Sequence, residues 1–475
     1  MTKLDDYSVQ VTFTVPYELM IIGLAHHEGS QKKWSSGFYN PKHYLKKWHL
    51  AYNEDAEAVA KEEGYDNWTQ AFNFHAFTHA AQGDPDLPHA GPWYLREINP
   101  DHGVYVRNPY FFAVDTAGNQ LPYIDRIMRL IIADSEVRKL KTIAGEIDYN
   151  SYTSLEDYPL FKNNEEAGGY RVVLLKDTQG SDAIFTFNMN HADPAKRQVF
   201  QDVRFRRAMS LAVDRDEINE IVFQDTGTPR AAALHPSVSF YKPEWGEEHP
   251  YARFAPDEAD ALLDEMGLDK RDSDGFRLGP DGNKFSVLIQ HTGEVPSWEA
   301  QAELIKEYWD DVGVRTDIKT TERSLYMTMI ANGETDVGVW SFSAAELEAT
   351  GRMLRFHNLR LGAMGTGAAP LWERWWNTKG ESGEEPPEEI KEYYQRLDEM
   401  IYLTSGTPEY LEHMQKIFDL HSENVYHIGT VGMMGRVIPL NNRLANVPFE
   451  DGRLWGIWSN MFTAPYLHEQ WYFKQ

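Results

Sequence analysis

Between residues 285 and 342 the spacing of the apolar side chains switches from a period of two to a helical period and back, twice over. Phe285, Val287 and Ile289 alternate, and Trp298, Ala302, Ile305 and Trp309 then recur at helical spacing. Val314, Thr316 and Ile318 alternate again, residues 324–331 read as a helix, and 336–342 (DVGVWSF) close the series as a strand. A strand can rejoin its neighbour in parallel only through a crossover long enough to hold a helix. This stretch therefore predicts a parallel sheet covered by helices, and the fold class is α/β.

The remainder supports the same class. A chain of 475 residues suggests two or three domains. Residues 8–15 alternate and predict a first strand ended by Pro16, with a helix over 18–26. Residues 93–106 read as a hairpin, 124–133 as a strand, and 135–144 as a helix with Val137, Leu140 and Ile143 on one face and Gly145 as its C-cap. Short strands are expected at 146–149, 170–176, 183–189 and 425–431, and helices at 54–63, 205–213, 215–223, 257–266, 388–403 and 408–423.

Composition excludes more than it selects. The formal charge of −27 repels nucleic-acid phosphates, and no basic run with interleaved aromatics offsets it, so nucleic-acid binding is set aside. The absence of cysteine removes thiolate metal sites, Cys nucleophiles and disulfides. Aromatic residues make up 13%, which suits aromatic-lined clefts and large aromatic cores equally. The most apolar early stretch, 19–25, is too short to span a bilayer, and the opening MTKLDDYSVQV lacks the layout of a signal peptide.

No catalytic constellation emerges. Phosphate-loop, nucleophile-elbow and HExxH patterns are missing, and His26-His27-Glu28 are adjacent rather than one turn apart. Asp272-Ser273-Asp274-Gly275 has the opening of a calcium loop, but its first position would be Lys270 and its twelfth Asp281, so we read a hairpin turn. No cofactor or metal is expected.

Five stretches, taken in order, resemble extracellular solute-binding protein family 5, which includes receptors for peptides, nickel complexes and oligosaccharides. They are GPWYLREINPDHGVYVRNPYFFAVDTAGNQLPYIDRI at 91–127, AGEID at 144–148 and FQDVRFRRAMSLAVD at 200–214. GVRTDIKTT at 313–321 with ETDVGVW at 334–340, and VIPLNNRLANVP at 437–448, complete the set. The resemblance implies a two-lobed periplasmic binding protein fold (type II-like, cluster C), each lobe a mixed sheet flanked by helices. Lobe I would take 1–180 and 427–475, and lobe II 181–426, with hinge strands near 182–189 and 425–431. It implies a monomer that captures a peptide or oligosaccharide and delivers it to the permease subunits of an ABC importer, outside the cytoplasmic membrane and without enzymatic turnover. A ligand sensor of the same fold and a glycoside- or peptide-active enzyme are the alternatives. In the family further strands and an export signal precede the part matched by residues 8–26, so the resemblance implies that the N-terminal portion of lobe I lies outside this chain.

In open α/β sheets ligands sit at the C-terminal ends of strands. Two such ends supply candidate binding residues: Tyr149, Asn150 and Ser151 after EID, and Trp340, Ser341 and Phe342 at the close of DVGVWSF. Trp372, Trp375 and Trp376 share one helical face, as a core-packed helix would, and Trp375 joins the candidates with Trp34 from a Lys/Ser/Gly-rich loop.

Overall fold

The computed structural model describes residues 1–15, 17, 20, 40–76, 84–88, 90–132, 134–151, 153–342, 359–362, 365–447 and 468–474. The chain forms two compact units, one of residues 1–19 and 176–435 and one of 20–175 and 436–475.

The first unit is built on a five-stranded sheet of β1 (Ser181–Phe187), β2 (Ser286–His291), β3 (Arg315–Thr320), β4 (Val337–Phe342) and β5 (Ile428–Gly429), in the order β3-β2-β4-β1-β5. β3 and β4 both run parallel to β2, whereas β1 is antiparallel to β4 and β5. Every residue of β1 is buried, as a continuous run flanked on both sides must be. The crossovers are α1 (Pro296–Asp311) and α2 (Arg323–Asn332). α1 starts at Pro296, where a missing N–H costs nothing, and buries Trp298, Gln301, Ala302, Ile305, Tyr308 and Trp309. The alternating strands and helical face expected for 285–342 are thus observed.

Asp336, just before β4, knits three elements together. Its carboxylate accepts from His191 Nε2 (2.8 Å), Lys196 Nζ (2.5 Å) and the Leu288 amide (2.9 Å). Burial pushes this carboxyl up, but the His191 and Lys196 hydrogen bonds outweigh it and hold the group below its ordinary value. A depressed carboxyl stabilises the fold above its unfolded pKa and loses that contribution as pH falls through the folded one. Asp336→Asn is therefore expected to cost about 2 kcal/mol at neutral pH. Its urea midpoint should approach the wild-type value below about pH 4. An equal deficit at both pH values would assign the loss to packing instead.

The second unit holds a three-stranded antiparallel sheet of Trp93–Ile98, His102–Arg107 and Arg126–Leu130. A second sheet pairs Tyr170–Lys176 with Gly435–Asn441, and Leu175, Ile438, Leu440, Leu444, Val447 and Trp471 form a core beside it. The helix Ser135–Ile143 is capped by Asp134, which accepts the amides of Glu136 and Val137. Gly145 then takes φ +71°, and a Cβ there would lie 2.2 Å from the Gly168 carbonyl, so both conformation and space require glycine. A separate helical group of Lys42–Leu45, Lys46–Trp48, Ala56–Glu62 and Trp68–His75 carries its own small core.

Several expectations are corrected. Residues 8–15 give only the two-residue strand Val9–Gln10, paired with Thr2–Lys3, and Val9 is 62% exposed because no second layer covers it among the described residues. Val137 and Leu140 are 44% and 64% exposed, so helical periodicity alone did not identify a covered face. Residues 146–149 form a single bridge, Tyr149 to Leu440, instead of a strand. Residues 182–189 and 425–431, expected as hinge strands, lie within the first unit, and the unit boundaries fall at 19/20, 175/176 and 435/436. The helix expected over 18–26 lies almost wholly outside the described residues.

Candidate functional site

The parallel strands β3, β2 and β4 end on one edge of the sheet, bringing Thr320–Thr321, His291–Thr292 and Trp340–Phe342 to a common rim. The Trp340 indole lies parallel to the Tyr326 ring (11°, centroids 6.2 Å apart) and tilted against Trp298 (5.3 Å). The Arg323 guanidinium sits 5.3 Å from its centroid. Gly365, at φ +91°, approaches so closely that a Cβ would fall 2.4 Å from Trp340 Cδ2. Tyr326 fixes that approach by donating to the carbonyls of Val339 (3.0 Å) and Gly365 (2.9 Å). Trp340 is 7% exposed as a result. A bulge between Trp340 and Phe342 changes the register against β1. Ser341 is half-buried, and Phe342 is buried beside His421 (5.7 Å) and His427 (6.2 Å).

Two charged side chains at this rim, Arg323 and Asp182, are engaged. Arg323 meets Glu294 at 2.6 Å. Asp182 accepts from Ser297 Oγ (2.6 Å) and Gln301 Nε2 (2.9 Å), and its carbonyl accepts from Trp298 Nε1 (2.9 Å). Burial pushes His291 down, favouring the neutral ring, whose Nδ1 accepts the Gly293 amide at 3.2 Å. The hydroxyls of Thr292 and Thr321 are buried without a hydrogen-bond partner among the described residues.

The other candidates are dispersed. In the second unit Tyr149 packs against the Leu440 core, its ring 5.5 Å from Trp471. Asn150 is buried and donates to Thr142 Oγ1 (3.0 Å), and Ser151 is half-buried. Trp375 is half-buried under the Lys391 ammonium (5.4 Å), Trp372 is buried, and Trp376 donates to Asp398 (2.8 Å). Trp34 lies outside the described residues. The sequence reading missed Asp182, Thr292, Thr321 and Arg323. Their one signal is position, at or just beyond the end of a strand.

At the calcium-like turn, Arg315 Nη2 reaches Asp272 (3.1 Å) and Asp274 (3.3 Å), so a guanidinium lies where a cation would. Among the described residues no three His, Cys, Asp or Glu side chains are grouped to hold a metal, and no helix is long and apolar enough to cross a membrane.

Comparison with known proteins adds the following. The model of the bacterial extracellular solute-binding proteins, family 5 (Middle), matches residues 1–358. A probable ABC transporter-binding protein of Deinococcus radiodurans is 27% identical over 267 residues, covering 55% of this chain and 44% of that protein. The chain thus spans less than half the length of this curated relative. An oligopeptide-binding protein OppA structure is 33% identical with a TM-score of 0.68, covering 99% of this chain and 75% of that one. The periplasmic binding protein MelB of Agrobacterium fabrum C58, solved with stachyose, shares the fold at 20% identity (TM-score 0.70; 100% of this chain, 67% of that one).

Proposed function

This chain belongs to the bacterial extracellular solute-binding proteins of family 5, and from that premise we propose that it is the receptor part of an ABC importer, binding an oligosaccharide or short peptide and handing it to the membrane permease. The protein acts outside the cytoplasmic membrane, as a monomer, and binds its solute without transforming it.

The observation that carries this reading is the rim at the ends of β2, β3 and β4. Trp340 offers ring surface for a sugar face or an apolar side chain, backed by Trp298 and the fully buried Tyr326, with Thr292, Thr321 and Ser341 as neutral hydrogen-bonding groups beside it. Arg323 and Asp182 are already engaged by Glu294, Ser297 and Gln301, which favours a neutral solute beside them. Tyr149, Asn150, Ser151, Phe342, Trp375 and Trp34 complete the proposed contacts.

Thermal-shift titration of the chain against oligosaccharides and di- to pentapeptides tests this. A true ligand at 100 times its Kd adds about 2.7 kcal/mol, enough for a plain rise in melting temperature. Trp340→Ala should weaken that ligand about tenfold or more, or about 1.4 kcal/mol. No shift with either class in a well-folded sample would overturn the receptor reading. Unchanged affinity in the variant would remove Trp340 from the site.

A further inference from the structure

In the helical group of the second unit a histidine is held between two carboxylates. His75, the last residue of the helix Trp68–His75, points Nδ1 at Asp84 Oδ2 (2.5 Å) and Nε2 at Glu63 Oε2 (2.9 Å). Its ring lies flat on the Trp48 indole, with centroids 3.6 Å apart and planes 16° from parallel. The side chain of His75 is 13% exposed and that of Asp84 is 7% exposed.

Each carboxylate is supplied from further elements. Glu63 accepts Trp48 Nε1 at Oε2 (2.7 Å) and Lys47 Nζ at Oε1 (2.7 Å). Asp84 accepts the Tyr44 hydroxyl at Oδ2 and the Asp86 amide at Oδ1 (2.9 Å). Tyr65 presents its ring edge to the imidazole at 6.1 Å. Among the described residues, Tyr44, Lys47, Glu63, Tyr65, Asp84 and Asp86 are therefore the titratable groups around His75. Burial pushes the Glu63 and Asp84 carboxyls up, but their hydrogen bonds prevail and both lie below the ordinary value, so they are ionised at neutral pH.

An ionised carboxylate only accepts hydrogen bonds. A neutral imidazole has one donor, so one ring nitrogen would turn a lone pair toward an anion. We propose that His75 is a proton-dependent clasp, held as the imidazolium between Glu63 and Asp84, whose second ring proton fastens the described helices of this group together.

The group needs such a tie. Its helices run four, seven and eight residues, lengths that are marginal without tertiary support. Three of the six side chains in its core, Ala60, Ala71 and Ala76, are alanines that bury little apolar area. The clasp joins the end of Ala56–Glu62, the end of Trp68–His75, the segment at Asp84 and the turn carrying Tyr44 and Trp48. Its imidazolium contribution is present at low pH and lost as pH rises through deprotonation of the ring. The carboxylate contribution has the opposite sense and is lost in acid. The group is therefore tightest between the two, and loosens on the alkaline side when the ring gives up one proton.

Two measurements on the full chain test this. In ¹⁵N-histidine-labelled protein at about pH 6.5, both His75 ring nitrogens should resonate as protonated nitrogens. Hydrogen-exchange protection across residues 40–76, corrected for intrinsic rates, should fall as pH is raised, by up to about tenfold per pH unit for a single linked proton. His75→Gln should show low protection with no such pH dependence, while peptides from residues 281–342 stay as in wild type. A neutral-ring ¹⁵N pattern would overturn the proposal, as would a variant matching wild type in both protection and pH profile. Should His75→Gln fail to fold, the ¹⁵N pattern and exchange profile of the wild-type chain decide alone.

Discussion

Replacing Trp309 by alanine is expected to cost about 3–5 kcal/mol and to lower the melting temperature of the first unit by about 10 °C. Trp309 is fully buried on the inner face of α1. Its ring stacks on Phe187 of β1 (5.2 Å) and meets Phe185 edge-on (6.2 Å), while Nε1 donates to the Met209 carbonyl (3.0 Å). Truncation opens a void against the central strand and strands a buried acceptor, two effects of the same sign. Trp309→Phe keeps most of the volume and loses only the hydrogen bond and part of the ring, so it should retain more than half of the difference. A melting temperature for Trp309→Ala within about 2 °C of wild type would mean that the sheet and α1 do not depend on this contact.

The second large effect is expected at Arg215, at the start of the helix Arg215–Phe223. Its guanidinium is buried and donates to the carbonyls of Gly429 (2.9 Å), Ser210 (3.0 Å), Val213 (3.3 Å) and Ala252 (2.9 Å) and to Ser210 Oγ (2.8 Å). One planar cation thus satisfies acceptors from three chain segments. Arg215→Met has similar reach and no donors, so those acceptors remain buried and unpaired, at an expected cost of about 3–5 kcal/mol. Arg215→Lys keeps the charge but gathers its donors at one point, and should recover only a minor part. Denaturant midpoints at constant m-value measure both. Equal stability of the Met variant and wild type would show that the acceptors find other donors at no cost.

These two residues mark the limits of what the sequence disclosed. Trp309 was legible as a core residue because Trp298, Ala302 and Ile305 precede it at helical spacing, and burial on one face is what that spacing encodes. The parallel pairing within this stretch followed from the same alternation of strands and crossover helices, whereas the order β3-β2-β4 is seen only in the structure. Arg215 was legible only as the first residue of a helix capped by Asp214, which accepts the Glu217 amide. Its four carbonyl partners include Gly429, far along the chain, and no local pattern encodes such a meeting. The same reason hid the paired charges Arg323–Glu294 and the Asp182 network at the candidate rim. Trp340 was singled out as a candidate by its place at a strand end, but its enclosure by Gly365 and Tyr326 depends on residues that sequence spacing does not connect to it. The pattern at Val137 and Leu140 failed in the opposite sense: periodicity names a face and says nothing of what covers it.

The way the chain enters and leaves the first unit has a consequence for synthesis on the ribosome. Residues 176–435 form one uninterrupted stretch, so the elements of that sheet emerge in sequence and can assemble as they appear. The core of the second unit cannot follow this schedule. Leu175 is made first, and its partners Ile438, Leu440, Leu444, Val447 and Trp471 follow only after the whole of 176–435. At about 5–20 residues per second, the roughly 260 residues between them impose a wait of about 13–50 s. Throughout that interval the strand that will pair with Gly435–Asn441 has an open edge and an uncovered apolar side, which makes it the natural holding point for a chaperone during translation.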